Sequence, residues 1–220
     1  MIKEIKKINI NDKEYPSLLK LIPNPPTNLY YKGTILPNKN CFAIVGARNC
    51  SIEGKQIAFE IAKELSKYFT IVSGLAMGID SFSHIATIKE RKRTIAVLGT
   101  GLNQNVMYPK ENLELSEKII NTGGCLISEY SPETRGSRKT FPERNRIISG
   151  MSLAILAIEA KERSGTSITI RKALEQNKKV FTINSFRFPQ TQAIKTSQDI
   201  LKEIKNELNY CWESNKNKNS

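Results

Sequence analysis

Residues 141–150, FPERNRIISG, place an aromatic side chain next to cations. Phe141 offers a flat face, and Arg144 and Arg146 follow it on either side of Asn145. Because exposed nucleobases stack on aromatic rings and the phosphate backbone attracts cations, this combination is typical of single-stranded nucleic-acid binding. The stretch has a second interpretation, in which Phe141 is a hydrophobic staple of a helix and Asn145 and Arg146 tie that helix to a neighbouring loop.

The excess of basic residues is concentrated around this stretch. The 220 residues include 34 Lys and Arg against 21 Asp and Glu, a formal net charge of +13. Such a charge favours a polyanionic partner, although a lysine-rich composition alone also describes a solvated surface. The distribution favours the partner, because residues 135–146 contain one acidic side chain, Glu143, and five basic ones: Arg135, Arg138, Lys139, Arg144 and Arg146.

A second candidate anion site follows the apolar run CFAIVG, residues 41–46. Gly46 allows a tight turn, Arg48 supplies a forked cation, and Ser51 can cap the helix expected to follow. The free amides at the N-terminus of that helix and the positive end of its dipole would attract a phosphate. The same residues also describe a plain glycine turn with a surface arginine.

Similar turns, rich in glycine and hydroxyl side chains, follow other apolar runs. They include SGLAMGID with Ser73 and Gly74, LGTGLNQNVMYP at 98–109, and a loop composed of Ser164, Gly165, Thr166 and Ser167. Four such turns at one edge of a sheet predict a row of oxyanion pockets for successive phosphates. The last loop also fits simple helix capping by its first serine. The dinucleotide fingerprint G-x-G-x-x-G is missing from the sequence, which disfavours NAD binding.

The elements that position these turns follow from the alternation of apolar runs with segments of helical periodicity. Parallel strands that are buried on both faces read as continuous apolar runs, and segments of this length between them are the usual crossover connections. We therefore predict an α/β fold, an extended Rossmann-like, doubly wound and mostly parallel sheet in a single domain. The six predicted strands lie within residues 41–46, 69–74, 93–99, 124–130, 152–160 and 178–184.

We divide the chain into three stretches. Residues 1–40 are predicted to be an N-terminal helix and strand lead-in packed on the core, and residues 41–190 the Rossmann-like core. Residues 191–220 are predicted to contain a C-terminal helix capped by Ser197 and a disordered polar end, with no winged-helix domain.

Several kinds of site are disfavoured by the composition. The four cysteines form no C-x-x-C pair, and the lone histidine, His84, has no neighbours at metal-ligand spacing, so we expect neither disulfides nor a metal site. No cofactor is expected. The apolar runs are too short to cross a bilayer and the N-terminus lacks the features of a signal peptide, so we expect a cytoplasmic protein with no membrane partner.

Seven collinear motifs between about residues 14 and 184 resemble the DNA-processing protein A family (DprA/Smf) of bacteria. They are YPSLLKLIPNPPTNLYYKG, IVGARNCSIEG, IVSGLAMGIDSFSH, TIAVLGTGL with the following YP, LISEY, FPERNRIISG and IEAKERSGTSIT. The resemblance implies an extended Rossmann fold that binds single-stranded DNA without catalysis, forms a homodimer and helps to load the RecA recombinase during natural transformation. It also implies that the DNA groove contains Arg48, either Arg138 or Lys139, Phe141, Arg144 and Arg146.

The chain departs from the family pattern at two places. It has HIATI at 84–88 where relatives commonly have H-x-G-A-L, and INSF at 183–186 where they have V-P-G. The resemblance therefore does not extend to the geometry of the last loop. His84 holds the family's position but has no carboxylate or metal partner in the sequence pattern, so we expect a structural role for it.

Two other functions use similar loops. One is a sensor of a nucleotide, and the other is nucleotide cleavage by the related lysine-decarboxylase-like or cytokinin-activating Rossmann enzymes. Those enzymes place a catalytic acid after a Gly-Thr turn, where this chain has Ile168 and Thr169. Glu129 and Glu159 end two predicted strands and could converge as a catalytic pair, or could instead pair with arginines and cap a helix. We find no catalytic constellation and predict a binding protein rather than an enzyme.

Overall fold

The computed structural model describes residues 4–35, 40–185 and 188–205. A nine-stranded mixed sheet runs through the molecule in the order β1-β2-β6-β5-β4-β3-β7-β8-β9. The strands from β6 to β9 in this order are parallel, and β2 joins the sheet antiparallel to both β1 and β6. The strands are β1 Ile5–Asn9, β2 Asn28–Gly33, β3 Cys41–Gly46, β4 Thr70–Ser73, β5 Thr94–Val97, β6 Cys125–Ser128, β7 Ala154–Ile158, β8 Lys179–Ile183 and β9 Gln192–Ala193.

Helices cover both faces of the sheet, which confirms the doubly wound Rossmann-like fold. They are α1 Ile52–Leu65, α2 Ile79–Lys89, α3 Leu113–Asn121, α4 Thr140–Gly150, α5 Gly165–Glu175 and α6, whose described part is 197–205. Side chains of α4 and α5 pack on one face and those of α1, α2, α3 and α6 on the other. Successive residues of a strand point to opposite faces of the sheet. Ala43 and Val45 therefore pack on the face covered by α4 and α5, and Phe42 and Ile44 on the face covered by α1, α2 and α6.

The six predicted strands are all present, because their continuous apolar runs are buried on both faces. The N-terminal stretch contains a 3₁₀ helix, Ser17–Leu21, and the predicted strand, which is β2. It also contains β1, which the sequence analysis missed. This strand lies at the edge of the sheet, and two of its five residues, Lys6 and Lys7, are exposed, so its sequence lacks a long apolar run.

The last helix begins where it was predicted but has a different cap. The Oγ1 atom of Thr196 accepts a hydrogen bond from the amide of Asp199 at 3.4 Å, and the Asp199 carboxylate accepts from the amide of Thr196 at 2.9 Å. Thr196 therefore caps the helix, and Ser197 is its buried first residue. The polar end that was predicted to be disordered lies outside the described residues.

The described residues contain no helix that is both long enough and apolar enough to cross a membrane. In the same residues no group of three His, Cys, Asp or Glu side chains is arranged to hold a metal ion. Cys41 and Cys50 are free thiols, and burial raises the pKa of Cys41 to about 12.

Candidate functional site

A cavity of about 390 Å³ opens at the carboxyl edge of the parallel strands, between the turns that follow β3 and β7. From β3 the chain proceeds through α1 to β4 on one side, and from β7 through α5 to β8 on the other. This is the topological switch point, where ligands of open α/β sheets bind. Eight predicted site residues line the cavity: Gly46, Arg48, Phe141, Arg144, Asn145, Ser164, Gly165 and Thr166.

Phe141 and Arg48 face one another at the rim of this cavity. Phe141 lies in the first turn of α4, as predicted, and its ring rests against backbone, because a methyl group added to Gly99 or Gly136 would lie 2.7 or 2.5 Å from the ring. The Arg48 guanidinium carbon lies 5.8 Å from the ring centroid, within cation–π range. Arg48 is exposed and Phe141 is half-buried. The pair thus combines a cation with an aromatic surface at the mouth of the cavity.

The loop before α5 presents backbone amides rather than hydroxyl groups. Ser164 and Ser167 form a capping box, in which the side chain of each accepts from the amide of the other at 3.2 Å. Their hydroxyls also donate to the carbonyls of Lys161 and Ser164, both at 2.7 Å, so they are engaged within the loop. A methyl group added to Gly165 would meet nothing within 4 Å. The first-turn amides of Gly165 and Thr166 have no partner inside the helix, and both residues line the cavity, so these amides are placed to bind an anion there.

Ser51 is already engaged with an acidic side chain. Its amide donates to one Glu159 carboxylate oxygen at 2.9 Å and its hydroxyl donates to the other, while the same hydroxyl accepts from Gly54 N at 2.9 Å. Ser51 is thus the N-cap of α1, as predicted, and Glu159 supports this cap by accepting from the Ser51 amide and hydroxyl. The structure therefore differs from the phosphate site expected at Ser51, because the protein's own carboxylate fills the anion position at this helix N-terminus.

Arg144 lies at the floor of the cavity and is only 5 % exposed. Its NH1 group donates to the carbonyl oxygens of Gly74, at 2.7 Å, and Val97, and its Nε donates to Asn145 Oδ1 at 3.1 Å. These bonds join α4 to the carboxyl ends of β4 and β5. Burial lowers the pKa of Arg144 to about 10, and the nearby Asp80 carboxylate opposes this shift. Arg144 is therefore a buried cation that connects segments of the protein, and little of its own surface reaches the cavity.

Asp80 and His84 complete the buried polar group around Arg144. Asp80 accepts from the amides of Gly74 and Ala76 at 3.1 and 3.3 Å, and burial raises its pKa while Arg144 opposes the rise. His84 is fully buried with Nδ1 2.7 Å from Thr94 Oγ1. Burial, and secondly Arg144, lower the pKa of His84 to about 3. The imidazole is thus neutral at physiological pH, in agreement with the structural role expected for it.

Asn145 and Arg146 connect α4 to neighbouring segments. Asn145 donates to Gly165 O at 3.3 Å, which links α4 to the start of α5. Arg146 points away from the cavity and forms a bidentate ion pair with Glu129 at 2.9 and 2.6 Å, and it also donates to Asn24 O at 3.2 Å. These bonds match the interpretation in which both residues tie the helix to loops. Glu129 neutralises the charge of Arg146, and Arg146 does not line the cavity.

Ser73 and Gly74, at the end of β4, lie outside the main cavity. Ser73 is fully buried and donates to Ile44 O at 2.6 Å, because its position in the strand turns it toward the face covered by α1 and α2. Gly74 is buried too, and lines a smaller neighbouring cavity of about 40 Å³ together with Arg48, Phe141 and Tyr108. The hydroxyl of Ser73 is therefore not available to a phosphate at this edge.

Arg138 and Lys139 are exposed on the loop that leads into α4. Lys139 makes only a long, exposed contact of 3.9 Å with Glu143, which costs little to break. Two further residues close to this region were not predicted as site residues. Lys161 is exposed and lines the main cavity, and Tyr108, which is 54 % exposed, contacts Phe141 with a centroid distance of 5.8 Å. The residue types were visible in the sequence, but only the fold brings them to Phe141 and the cavity.

A family model described as DNA recombination-mediator protein A matches residues 6–215, nearly the whole chain. The chain belongs to this family. It is 40 % identical over 215 residues to DNA processing protein DprA of Bacillus subtilis, a match that covers 91 % of this chain and 71 % of that protein. The chain spans between 44 % and 61 % of the length of three further curated family members.

Solved structures of family members have the same fold. The crystal structure of DprA from Streptococcus pneumoniae superimposes with a TM-score of 0.82 at 34 % identity, over 92 % of this chain and 75 % of that one. DNA processing protein A from Helicobacter pylori, whose structure is described for its single-stranded DNA binding mode, superimposes with a TM-score of 0.79. That pair is 24 % identical and the match covers 94 % of this chain and 99 % of the other, so it supports the fold alone.

Proposed function

We propose that this chain binds single-stranded DNA without sequence preference and passes the strand to a RecA-type recombinase. In this proposal Arg48 and the Gly165 and Thr166 amides bind backbone phosphates, and Phe141 stacks on a base. Arg138 and Lys139 attract the flanking backbone. Arg144 and Asn145 act mainly by holding the cavity in shape.

The observation that carries the proposal is the position of Arg48 over the half-buried ring of Phe141, next to open helix amides at the switch point. In an unpaired nucleotide the phosphate can bind the cation and the helix amides, and the base can stack on the aromatic face. Membership of the recombination-mediator family supports the same ligand. The Helicobacter pylori relative is described for single-stranded DNA binding, and we extend that activity to this chain.

Competition separates this function from the nucleotide sensor. The protein is bound to a fluorescent oligo-dT, and dTMP or unlabelled oligo-dT is added. We expect the unlabelled strand to displace the probe and dTMP to compete only at far higher concentration, because one nucleotide lacks the contacts along the basic loop. Equal competition by dTMP, compared per mole, would favour the sensor. The cleavage alternative is not supported by its two candidate carboxylates, since Glu129 pairs with Arg146 and Glu159 accepts from Ser51.

An Arg48→Ala variant is expected to bind single-stranded DNA more weakly and with a flatter dependence on salt. Removing one phosphate contact lowers the slope of log K against log salt concentration by about 0.7 for a single strand. Binding by fluorescence anisotropy at several salt concentrations measures both effects. Arg91→Ala is the matched control, because Arg91 is exposed and precedes β5, at the opposite edge of the sheet. An unchanged slope in Arg48→Ala would mean that Arg48 binds no phosphate.

A Glu159→Gln variant is expected to bind single-stranded DNA more tightly than the wild type, by a few-fold. The carboxylate lines the cavity and repels a phosphate there, and two unit charges about 4 Å apart interact by about 1 kcal/mol even in water. Glutamine retains an oxygen that can accept from Ser51, so the cap of α1 is preserved in part. Glu162→Gln is the control, since Glu162 is an exposed residue of the same loop. Weaker binding by Glu159→Gln would show that the phosphate does not approach α1.

The partners are part of the proposal. We propose a homodimer, which light scattering on the purified chain would detect as twice the monomer mass. Recombinase loading is tested by the rate at which a RecA-type protein forms filaments on single strands coated with single-strand-binding protein. We expect this chain to accelerate filament formation, and Arg48→Ala to do so less. No acceleration by the wild type, with DNA binding intact, would restrict the function to strand binding.

A further inference from the structure

Two apolar side chains lie exposed next to Phe141. Met77 is 47 % and Tyr108 is 54 % exposed, and both line the small cavity of about 40 Å³ that Phe141 and Arg48 also line. Only three other large apolar side chains among the described residues are exposed to this degree, namely Leu21, Ile52 and Tyr68, and none of these lines either cavity. Because these two side chains border one cavity rather than lying singly on the surface, we interpret them as part of a binding surface.

The backbone holds Tyr108 in its outward position. Met107 is only 3 % exposed, and Pro109 is buried on the other side, so the tyrosine side chain is turned toward solvent. Asn112 follows in the next turn and donates to Leu75 O at 2.8 Å and to Ser81 Oγ at 2.9 Å. Because Asn112 is itself buried, these bonds fix the Tyr108 segment to the loop that carries Met77.

The loop that carries Met77 is anchored to the turn that carries Arg48. Gly78 has a φ of 76° and packs against the carbonyl groups of Ala47 and Arg48, where any side chain would collide. The amide of Ile79 donates to Ala47 O at 3.2 Å. The apolar patch and the cation of the proposed phosphate site are therefore held in one framework.

The charge and shape around the patch fit an unpaired nucleobase. Arg48 lines both the small cavity and the main cavity, so a phosphate bound to Arg48 would lie next to the patch. The ring planes of Tyr108 and Phe141 are tilted by 54°, so one flat base cannot stack on both rings, and each ring would take its own base. Base–aromatic stacking tolerates any sequence, as a strand binder requires.

We propose that Met77 and Tyr108 form a second stacking subsite, which receives the base adjacent to the one on Phe141. This inference rests on the proposed function. The subsite raises the number of bases that stack on the protein from one to two. It also selects for unpaired DNA, because the faces of bases in a duplex are covered by their neighbours.

Two probes of equal length and charge test the subsite: oligo-dT and an oligonucleotide of abasic sites. Tyr108→Ala is expected to bind oligo-dT about 5- to 150-fold more weakly than the wild type, which corresponds to the loss of one stacked base. Its affinity for the abasic strand and its salt slope should stay unchanged. Tyr108→Phe retains a ring and should bind oligo-dT like the wild type. Thermal unfolding checks that both variants keep the fold.

Each other outcome overturns the proposal in a different way. Wild-type binding of oligo-dT with an equal affinity in Tyr108→Ala would remove the subsite but leave the proposed function intact. Equal weakening for oligo-dT and the abasic strand would make Tyr108 a structural or backbone contact. Unchanged DNA binding with a lower mass by light scattering would assign the patch to contact between two copies of the chain. Failure of the wild type to bind oligo-dT would reject the proposed function, and the subsite with it.

Discussion

Replacing Arg144 by methionine is expected to lower the free energy of unfolding by about 3–5 kcal/mol, the range for leaving a buried charge uncompensated. The substitution leaves the Gly74 and Val97 carbonyls without this donor and leaves the buried Asp80 carboxylate without its neighbouring cation. Urea unfolding of the wild type and the variant measures the difference. Arg138→Met is the control, because Arg138 is exposed and its loss should change stability by less than about 0.5 kcal/mol.

The pH dependence of this effect separates charge from packing. Burial raises the pKa of Asp80 above 3.8 in the folded protein, so ionised Asp80 costs stability at pH values above the folded pKa. Arg144 limits that rise, and its removal should raise the pKa of Asp80 further. The destabilisation by Arg144→Met should thus be largest near neutral pH and shrink as the pH falls toward 3.8. A destabilisation independent of pH would mean that Arg144 acts through packing and hydrogen bonds alone.

Replacing Phe141 by alanine is expected to weaken binding of single-stranded DNA by about 1–3 kcal/mol, or roughly 5- to 150-fold. The variant loses the aromatic face but no charge, so the dependence of binding on salt should be nearly that of the wild type. A sensor of mononucleotide phosphates would hardly be affected by this change. Anisotropy titrations with oligo-dT at several salt concentrations give both quantities.

Phe141→Leu controls for the packing role of the ring. Leucine keeps apolar volume against Gly99 and Gly136 but offers no flat face for a base. If stacking is the role of Phe141, the leucine variant should keep most of the thermal stability and still bind DNA as weakly as the alanine variant. Wild-type affinity in the leucine variant would assign Phe141 to the core as the staple that its sequence position also allows.

The sheet was predictable because its inner strands carry their own signal. CFAIVG and LAILAI are buried on both faces and read as apolar without interruption. The edge strands carry a weaker apolar signal, since β1 contains two lysines and β9 has only two residues, Gln192 and Ala193. Pairing with a neighbour, rather than local composition, determines that these segments are strands.

The site was predictable at the level of loops and less so at the level of side chains. Phe141, Arg48 and Gly165 lie at the mouth of one cavity because the carboxyl ends of parallel strands share an edge. Both arginines of α4 are engaged by partners far away in sequence, Gly74 for Arg144 and Glu129 for Arg146, which the local sequence does not show.

The serines illustrate the same limit. A hydroxyl after a strand can bind a ligand or satisfy the protein's own backbone, and the sequence cannot distinguish these uses. In the structure Ser51 bonds to Glu159, Ser73 to Ile44 O, and Ser164 and Ser167 to each other. Tyr108 was missed because its meeting with Phe141 joins loops of different strands.

The central claim is that the cavity and the basic loop beside it bind unpaired DNA. The most direct test is fluorescence anisotropy of labelled oligo-dT, about 16 nucleotides long, beside a matched duplex, titrated with the wild-type protein at several salt concentrations. We expect tight binding to the single strand, weak binding to the duplex and a steep loss of affinity with salt. Equal affinity for both, or negligible binding to either, would contradict the account.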